Sequence, residues 1–264
     1  MDIFLVFGVI MGLLAVVVGM YVKGADVAVL LNPAAAIIIF IGTAAAVMNS
    51  FPKKEFLNIP KVTAALFRQN EKEDSSFIIN QIIEMAQLAR KEGLLSLEQT
   101  MQDLKNPLMK KGLGMVIDGL EQEYIRDVLS IEIESMEERH RAGASIFTTA
   151  GGAAPTLGVL GAVIGLIGAL GNLEDTEKLG HMIAAAFVAT LYGIFVGYVV
   201  CHPFASRLKR KSFEEIKILN LIMEGILSIQ AGENPKGIES KLIGMLDPKD
   251  REKVETKNKE NKGE

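Results

Sequence analysis

Few residues in this chain could do covalent chemistry, and the gaps are as informative as the residues. Three histidines, His140, His181 and His202, are dispersed without the spacing a zinc site needs. No G-x-x-x-x-G-K-[ST] stretch is available to cradle a nucleotide phosphate. The single cysteine, Cys201, ends an apolar run; it can close no internal disulfide and reads as a packing residue. Basic residues are not interleaved with aromatics, so no nucleic-acid partner is expected. The chain therefore reads as no enzyme, with neither a metal nor an organic cofactor. Three features remain inside long apolar runs. Pro155 removes a backbone hydrogen bond and is expected to kink its helix. Thr190 offers a hydroxyl that either bonds back to its own helix or meets something passing it. Pro203 is expected to end the last apolar run.

The elements that must position these residues are membrane helices. The chain has 264 residues, a mean hydropathy of +0.29 and a net charge of -4. Its charges are segregated from its apolar runs, so their pattern matters more than their total. Four runs approach or exceed the roughly 20 helical residues that cross a hydrocarbon core: Ile3 to Val22, about Ala34 to Phe51, Ile146 to Leu170, and Met182 to Phe204. The first lacks a basic n-region and a cleavage site and reads as a retained helix. None of the four carries a central Asp, Glu, Lys or Arg. An ion path normally shows a buried ionisable residue, which is costly in lipid and kept for function. Either this chain is a scaffold, or a partner helix brings the carboxylate.

Small residues recur with a period in the last two spans. Gly151, Ala154, Gly158, Gly161, Gly165 and Gly168 follow alternating steps of three and four, as do Ala186, Thr190, Gly193 and Gly197. Helix association in lipid relies on close backbone approach, which such stripes permit. Gly158, Gly161, Gly165, Gly168, Gly193 and Gly197 are accordingly assigned to packing against a partner helix.

The fold class expected is an all-α membrane protein with four transmembrane helices. Residues 1–51 form a first hairpin, and 52–143 a helical cytoplasmic domain inserted between helices 2 and 3. Residues 144–203 form a second hairpin lining an ion path, and 204–264 cytoplasmic helices with a tail. Within the inserted domain, an amphipathic segment is expected over Lys54 to Gln69. A second starts at the cap types Asp74, Ser75 and Ser76 and ends at Gly93. Its apolar side is read as Phe77, Ile78, Ile82, Met85, Ala86 and Ala89. Asn106-Pro107 marks a turn, and a long charged helix then feeds span three. The composition from Asp247 onwards, ending KNKENKGE, predicts a solvated disordered end. Lys and Arg residues fill 52–143 and the RLKRK cluster after Pro203, whereas the GNLEDTEKLGH loop holds one lysine against three carboxylates. The basic segments and both termini therefore belong on the cytoplasmic side of the bilayer.

The stretches PAAAIIIFIGTAAAV, ARKEGLLSLE, AAPTLGVLGAVIGLIGAL, AAAFVATLYGIF and HPFASRLKRKS resemble the MotA family of bacterial flagellar stator proteins, within the MotA/TolQ/ExbB superfamily. The likeness covers nearly the whole chain and the order of its spans. It implies a ring of five subunits in the bacterial inner membrane around a MotB dimer, whose transmembrane helix carries the ion-binding aspartate. That aspartate would supply the missing carboxylate. The resemblance further implies that Arg90 and Glu98 meet the rotor protein FliG. It puts Pro155, Ala162, Thr190 and Pro203 in the ion path and its conformational coupling. Sodium-driven members carry a threonine where this chain has Ala162, so the proton is the expected coupling ion. A sodium-driven stator, an energiser of the ExbB and TolQ kind (typically three spans) and a non-conducting scaffold are the alternatives.

Overall fold

The computed structural model describes residues 3–68, 74–248, 250–252 and 254. Among the described residues the chain is helical without a strand, and four helical stretches are long and apolar enough to cross a membrane. Two compact units emerge: Met1–Asn70 with Arg139–Lys211, and Glu71–Glu138 with Ser212–Glu264. In this division residues 52–68 and 204–211 group with the membrane spans.

In the first unit, α1 (Ile3–Val22) is uncharged and buries none of its side chains. It comes close to the rest at Gly12, where an added Cβ would lie 2.6 Å from Val199 Cγ1. Asp26 caps a short 3-10 turn, Val27–Leu30, by accepting the Ala28 N–H at 2.9 Å. Asn32 caps α2 (Pro33–Ala36), and Pro33 occupies a first turn where its missing N–H costs nothing. A π-helical segment, Ile37–Ile41, leads into α3 (Gly42–Ser50) and completes the second span. The single amphipathic segment expected over 54–69 is instead two helices, α4 (Lys53–Phe56) and α5 (Ile59–Phe67). Pro60 has no N–H to continue α4, so the helix restarts with the proline in its first turn. Gln69 lies outside the described residues. Lys211 closes the far end of α5, its Nζ donating to the carbonyls of Ala65, Leu66 and Arg68 at 2.9, 2.8 and 2.8 Å. A cation there meets the carbonyls that a helix C-terminus leaves without donors.

In the second unit, Asp74 caps α6 (Ser75–Glu92), accepting the Ser76 N–H at 3.1 Å. Gly93 ends α6 with φ +88° and donates to the Ala89 carbonyl at 2.9 Å, as expected of a C-cap glycine. Ile78, Ile79, Ile82, Met85 and Ala86 are buried. Phe77, assigned to that side, is exposed, because it sits about 140° round the helix from Ile82, the middle of the buried face. After α7 (Leu97–Gln102), Asn106 caps α8 (Pro107–Ile117) through the N–H groups of Leu108 and Met109. The start of α9 (Gln122–Leu170) packs Ile125 and Leu129 into the same core. So does the end of α11 (His202–Gln230) with Leu221, Ile222 and Ile226, and α12 (Pro235–Gly244) with Ile238 and Leu242. The intervening α10 spans Thr176–Ile194 and belongs to the first unit.

Polar contacts tie α12 down. Lys241 Nζ lies 2.5 Å from Glu224 and 3.3 Å from Glu233, and reaches the Ser228 hydroxyl at 3.2 Å. The hydrogen bond to the Glu224 carboxylate holds the Lys241 ammonium above the ordinary lysine value, against a smaller opposing effect of burial. Order also continues past Asp247, where a disordered end was expected. Asp247 pairs with Lys217 at 2.9 Å, Arg251 donates to the carbonyls of Leu246 and Gly244, and Val254 is buried in the core. The KNKENKGE end lies outside the described residues.

Candidate functional site

Spans three and four meet along their small-residue stripes. An added Cβ at Gly158 would lie 3.0 Å from the Ala189 carbonyl oxygen, and at Gly193 2.5 Å from that of Ala154. At Gly197 it would lie 2.7 Å from the Gly151 carbonyl oxygen and 2.8 Å from Pro155 Cγ. At Gly161 and Gly165 it would come within 2.8 Å of the Ala189 and Ala186 Cβ atoms, and at Gly168 it would run into Met182 Cε. The two helices thus run antiparallel in backbone contact from Gly168 and Met182 to Gly151 and Gly197. This corrects the assignment of these glycines to a partner helix: both stripes are consumed within the chain. Periodicity identifies a face built for close approach but not the helix that takes it.

Thr190 sits on this seam, half-buried, with its hydroxyl 3.4 Å from the Gly158 carbonyl across the seam and 3.4 Å from the Ala186 carbonyl on its own helix. The hydroxyl is thus within reach of its own helix, as the back-bonding reading has it, and of the neighbouring helix. Pro155 lies inside α9 without ending it, and its ring rests where Gly197 leaves room. Having no N–H, it leaves the Gly151 carbonyl without its α-helical donor. Pro203 also ends nothing. A π-helical segment, Phe195–Cys201, precedes it and α11 runs through it, so the expected stop becomes a change of helical register. The wider π turn replaces bonds that a proline would break in a plain α-helix. Ala162, beside Gly161, is half-buried. Arg90 and Glu98 lie elsewhere, exposed in the second unit. Arg90 is in the last turn of α6 and Glu98 in the first turn of α7, with Gly93 between.

Sequence reasoning missed several residues. Tyr192, on α10, donates its hydroxyl to the Leu30 carbonyl and pins the first hairpin's turn to span four. Thr43 is buried with its hydroxyl unpartnered, just after the π segment of span two. The proline at 203 hinted at the π turn before it, and nothing in the sequence marked the one at Ile37–Ile41. At the loop end, a depression of about 420 Å³ is lined by Asp175, Glu177, Lys178, His181, Met182 and Ala185. Carboxylates stand at this mouth and none on the seam, which offers carbonyls and one hydroxyl but no group able to carry charge at mid-membrane.

These features define the class: a four-span, all-helical membrane protein with a glycine-packed helix pair and a helical unit outside the spans. The MotA/TolQ/ExbB proton channel family matches residues 100–220. Motility protein A of Bacillus subtilis (strain 168) is 50% identical over 97% of this chain and 95% of its own length. Chemotaxis protein PomA of Vibrio alginolyticus is 33% identical over 93% of this chain and 96% of its own. The solved structure of the flagellar MotAB stator complex from Bacillus subtilis superposes with a TM-score of 0.88 at 51% identity, covering 94% of this chain and 98% of that one. The chain belongs to the MotA/TolQ/ExbB proton channel family.

Proposed function

We propose that this chain is the ring-forming subunit of a proton-driven flagellar stator. It assembles with a MotB-type partner in the inner membrane, as five copies around a partner dimer, the architecture that the resemblance implies.

 The observation that carries this reading is the match over nearly the whole chain, in sequence and in fold, to a stator complex. The physical argument agrees with it. A seam without a carboxylate needs one from elsewhere, and a partner helix carrying one supplies it beside Thr190. Protonation would neutralise that carboxylate and change its preferred position in a low-dielectric site, so that ion flow drives relative rotation. A unit charge falling through 100 mV releases about 2.3 kcal/mol, so torque is built from many small steps. Arg90 and Glu98, exposed on separate helices, each meet an opposite charge on FliG. The lack of a hydroxyl at Ala162 favours the proton over sodium, because nothing there replaces part of a sodium hydration shell.

The test is complementation of a non-motile strain lacking its own stator by this chain and its partner. Restored swimming that collapses with a protonophore and ignores external sodium is the expected result. Swimming that survives the protonophore and scales with sodium would assign the other ion. No swimming, with the complex assembled, would return the chain to the energiser class.

A further inference from the structure

We infer that His202 is the group through which a proton leaves the seam for the cytoplasm, a role that rests on the conduction reading above. In an unbroken α-helix, residue 202 would lie about 120° round from the face of Thr190. The π-helical segment Phe195–Cys201 adds a residue to the turn and takes back about 100° of that angle. The His202 N–H closes the segment with a π-type bond to the Gly197 carbonyl. The imidazole consequently lies against Gly151, where an added Cβ would sit 3.0 Å from three of its ring atoms. Thr190, Gly193, Gly197 and His202 thus share one line facing span three. The ring is half-buried, lies 5.2 Å from the Tyr198 ring at a tilt of 43°, and no hydrogen bond from another described residue engages its nitrogens.

An imidazole suits this position, because it is the side chain whose ordinary pKa, about 6.5, lies near cytoplasmic pH. A proton delivered by hydronium or by the partner's carboxylic acid adds to the unprotonated ring nitrogen. The N–H on the other side then gives its proton to cytoplasmic water and leaves the ring neutral. The ionisable groups around it are few. The facing stretch of α9, Phe147 to Pro155, carries none, nor does α1 around Gly12. On its own rod stand Tyr198, Cys201 and Arg207. Lys53, Lys54, Glu55 and Lys61 belong to α4 and α5, whose Phe56 and Ile59 pack on the cluster holding Cys201.

The experiment uses the full chain with its MotB-type partner, comparing wild type, H202Q and H202A. Protonophore-sensitive flux is measured in vesicles at a series of internal pH values, alongside co-purification with the partner. H202Q is expected to assemble normally, lose flux several-fold, and differ from wild type in how flux responds to internal pH. Added imidazole should restore part of the flux in H202A. Wild-type flux and an unchanged pH profile in H202Q would overturn the inference. Loss of co-purification in both variants would also overturn it, since the ring would then be packing. If wild type itself conducts nothing, the conduction reading fails, and the histidine's role fails with it.

Discussion

At the scale of single residues, the Thr190 hydroxyl holds two bonds of 3.4 Å, beyond the usual range, so neither anchors the fold strongly. Thr190→Val keeps the shape and removes the hydroxyl. We expect the variant to insert and assemble, at a stability cost of no more than about 1 kcal/mol, while proton flux through the complex falls. Thr190→Ser should retain the flux. A valine variant conducting like wild type would make the hydroxyl a bystander. Lys241 offers a pH test in the second unit. Its folded pKa is raised above 10.5, chiefly by Glu224, so its contribution to stability is complete below that value and is lost as pH climbs through the folded pKa. Lys241→Met should therefore lower the melting temperature at pH 7, and the gap to wild type should close only above about pH 10.5. The side chain is 42% exposed, so the gap will be small.

At the scale of elements, backbone contact across the seam makes a sharp distinction between glycines. Gly193→Ala drives a methyl group against the Ala154 carbonyl and should destabilise by about 1–3 kcal/mol. Gly180→Ala, also on α10 but with nothing near its added Cβ, should be neutral or stabilise by up to about 1 kcal/mol. Thermal unfolding of the two variants in one detergent checks the order. Four spans, the caps at Asn32, Asp74 and Gly93 and the long helix into span three were legible, because apolar length and local capping chemistry reside in contiguous residues. The π turn at Ile37–Ile41 was not, because no proline or other local residue marks it, whereas Pro203 at least hinted at the one before it. The stripes could be seen but not paired: Gly165 shows that something approaches, and only Ala186 shows what. Phe77 was misread because an aromatic beside a buried stripe satisfies the apolar pattern while pointing elsewhere.

At the scale of the whole molecule, the stator reading puts conduction and rotor contact on residues in separate units, so under it they should be separable by mutation. Arg90 is exposed and its replacement should leave stability within about 0.5 kcal/mol. Under the stator reading, Arg90→Glu should slow swimming while proton flux through the assembled complex stays at the wild-type level. A compensating charge reversal on FliG should recover part of the speed. Simultaneous loss of flux and assembly would make Arg90 a structural residue and remove the argument for a rotor contact at this site. Arg90 and Glu98 became candidates through resemblance alone; exposed charges on helix ends carry no signal of their own.

The seam also constrains how this sequence can drift. Gly112 faces the end of Ile226, whose Cδ1 an added Cβ would meet at 2.5 Å, so a lineage acquiring alanine there can be rescued by trimming that isoleucine to valine. Gly193 and Gly197 face carbonyl oxygens, which no substitution can shorten. Alanine is the smallest step away from glycine, and at these two positions it already overlaps with the opposite main chain. Relief would require both helices to move apart along their length, so no single compensating codon change is open to them.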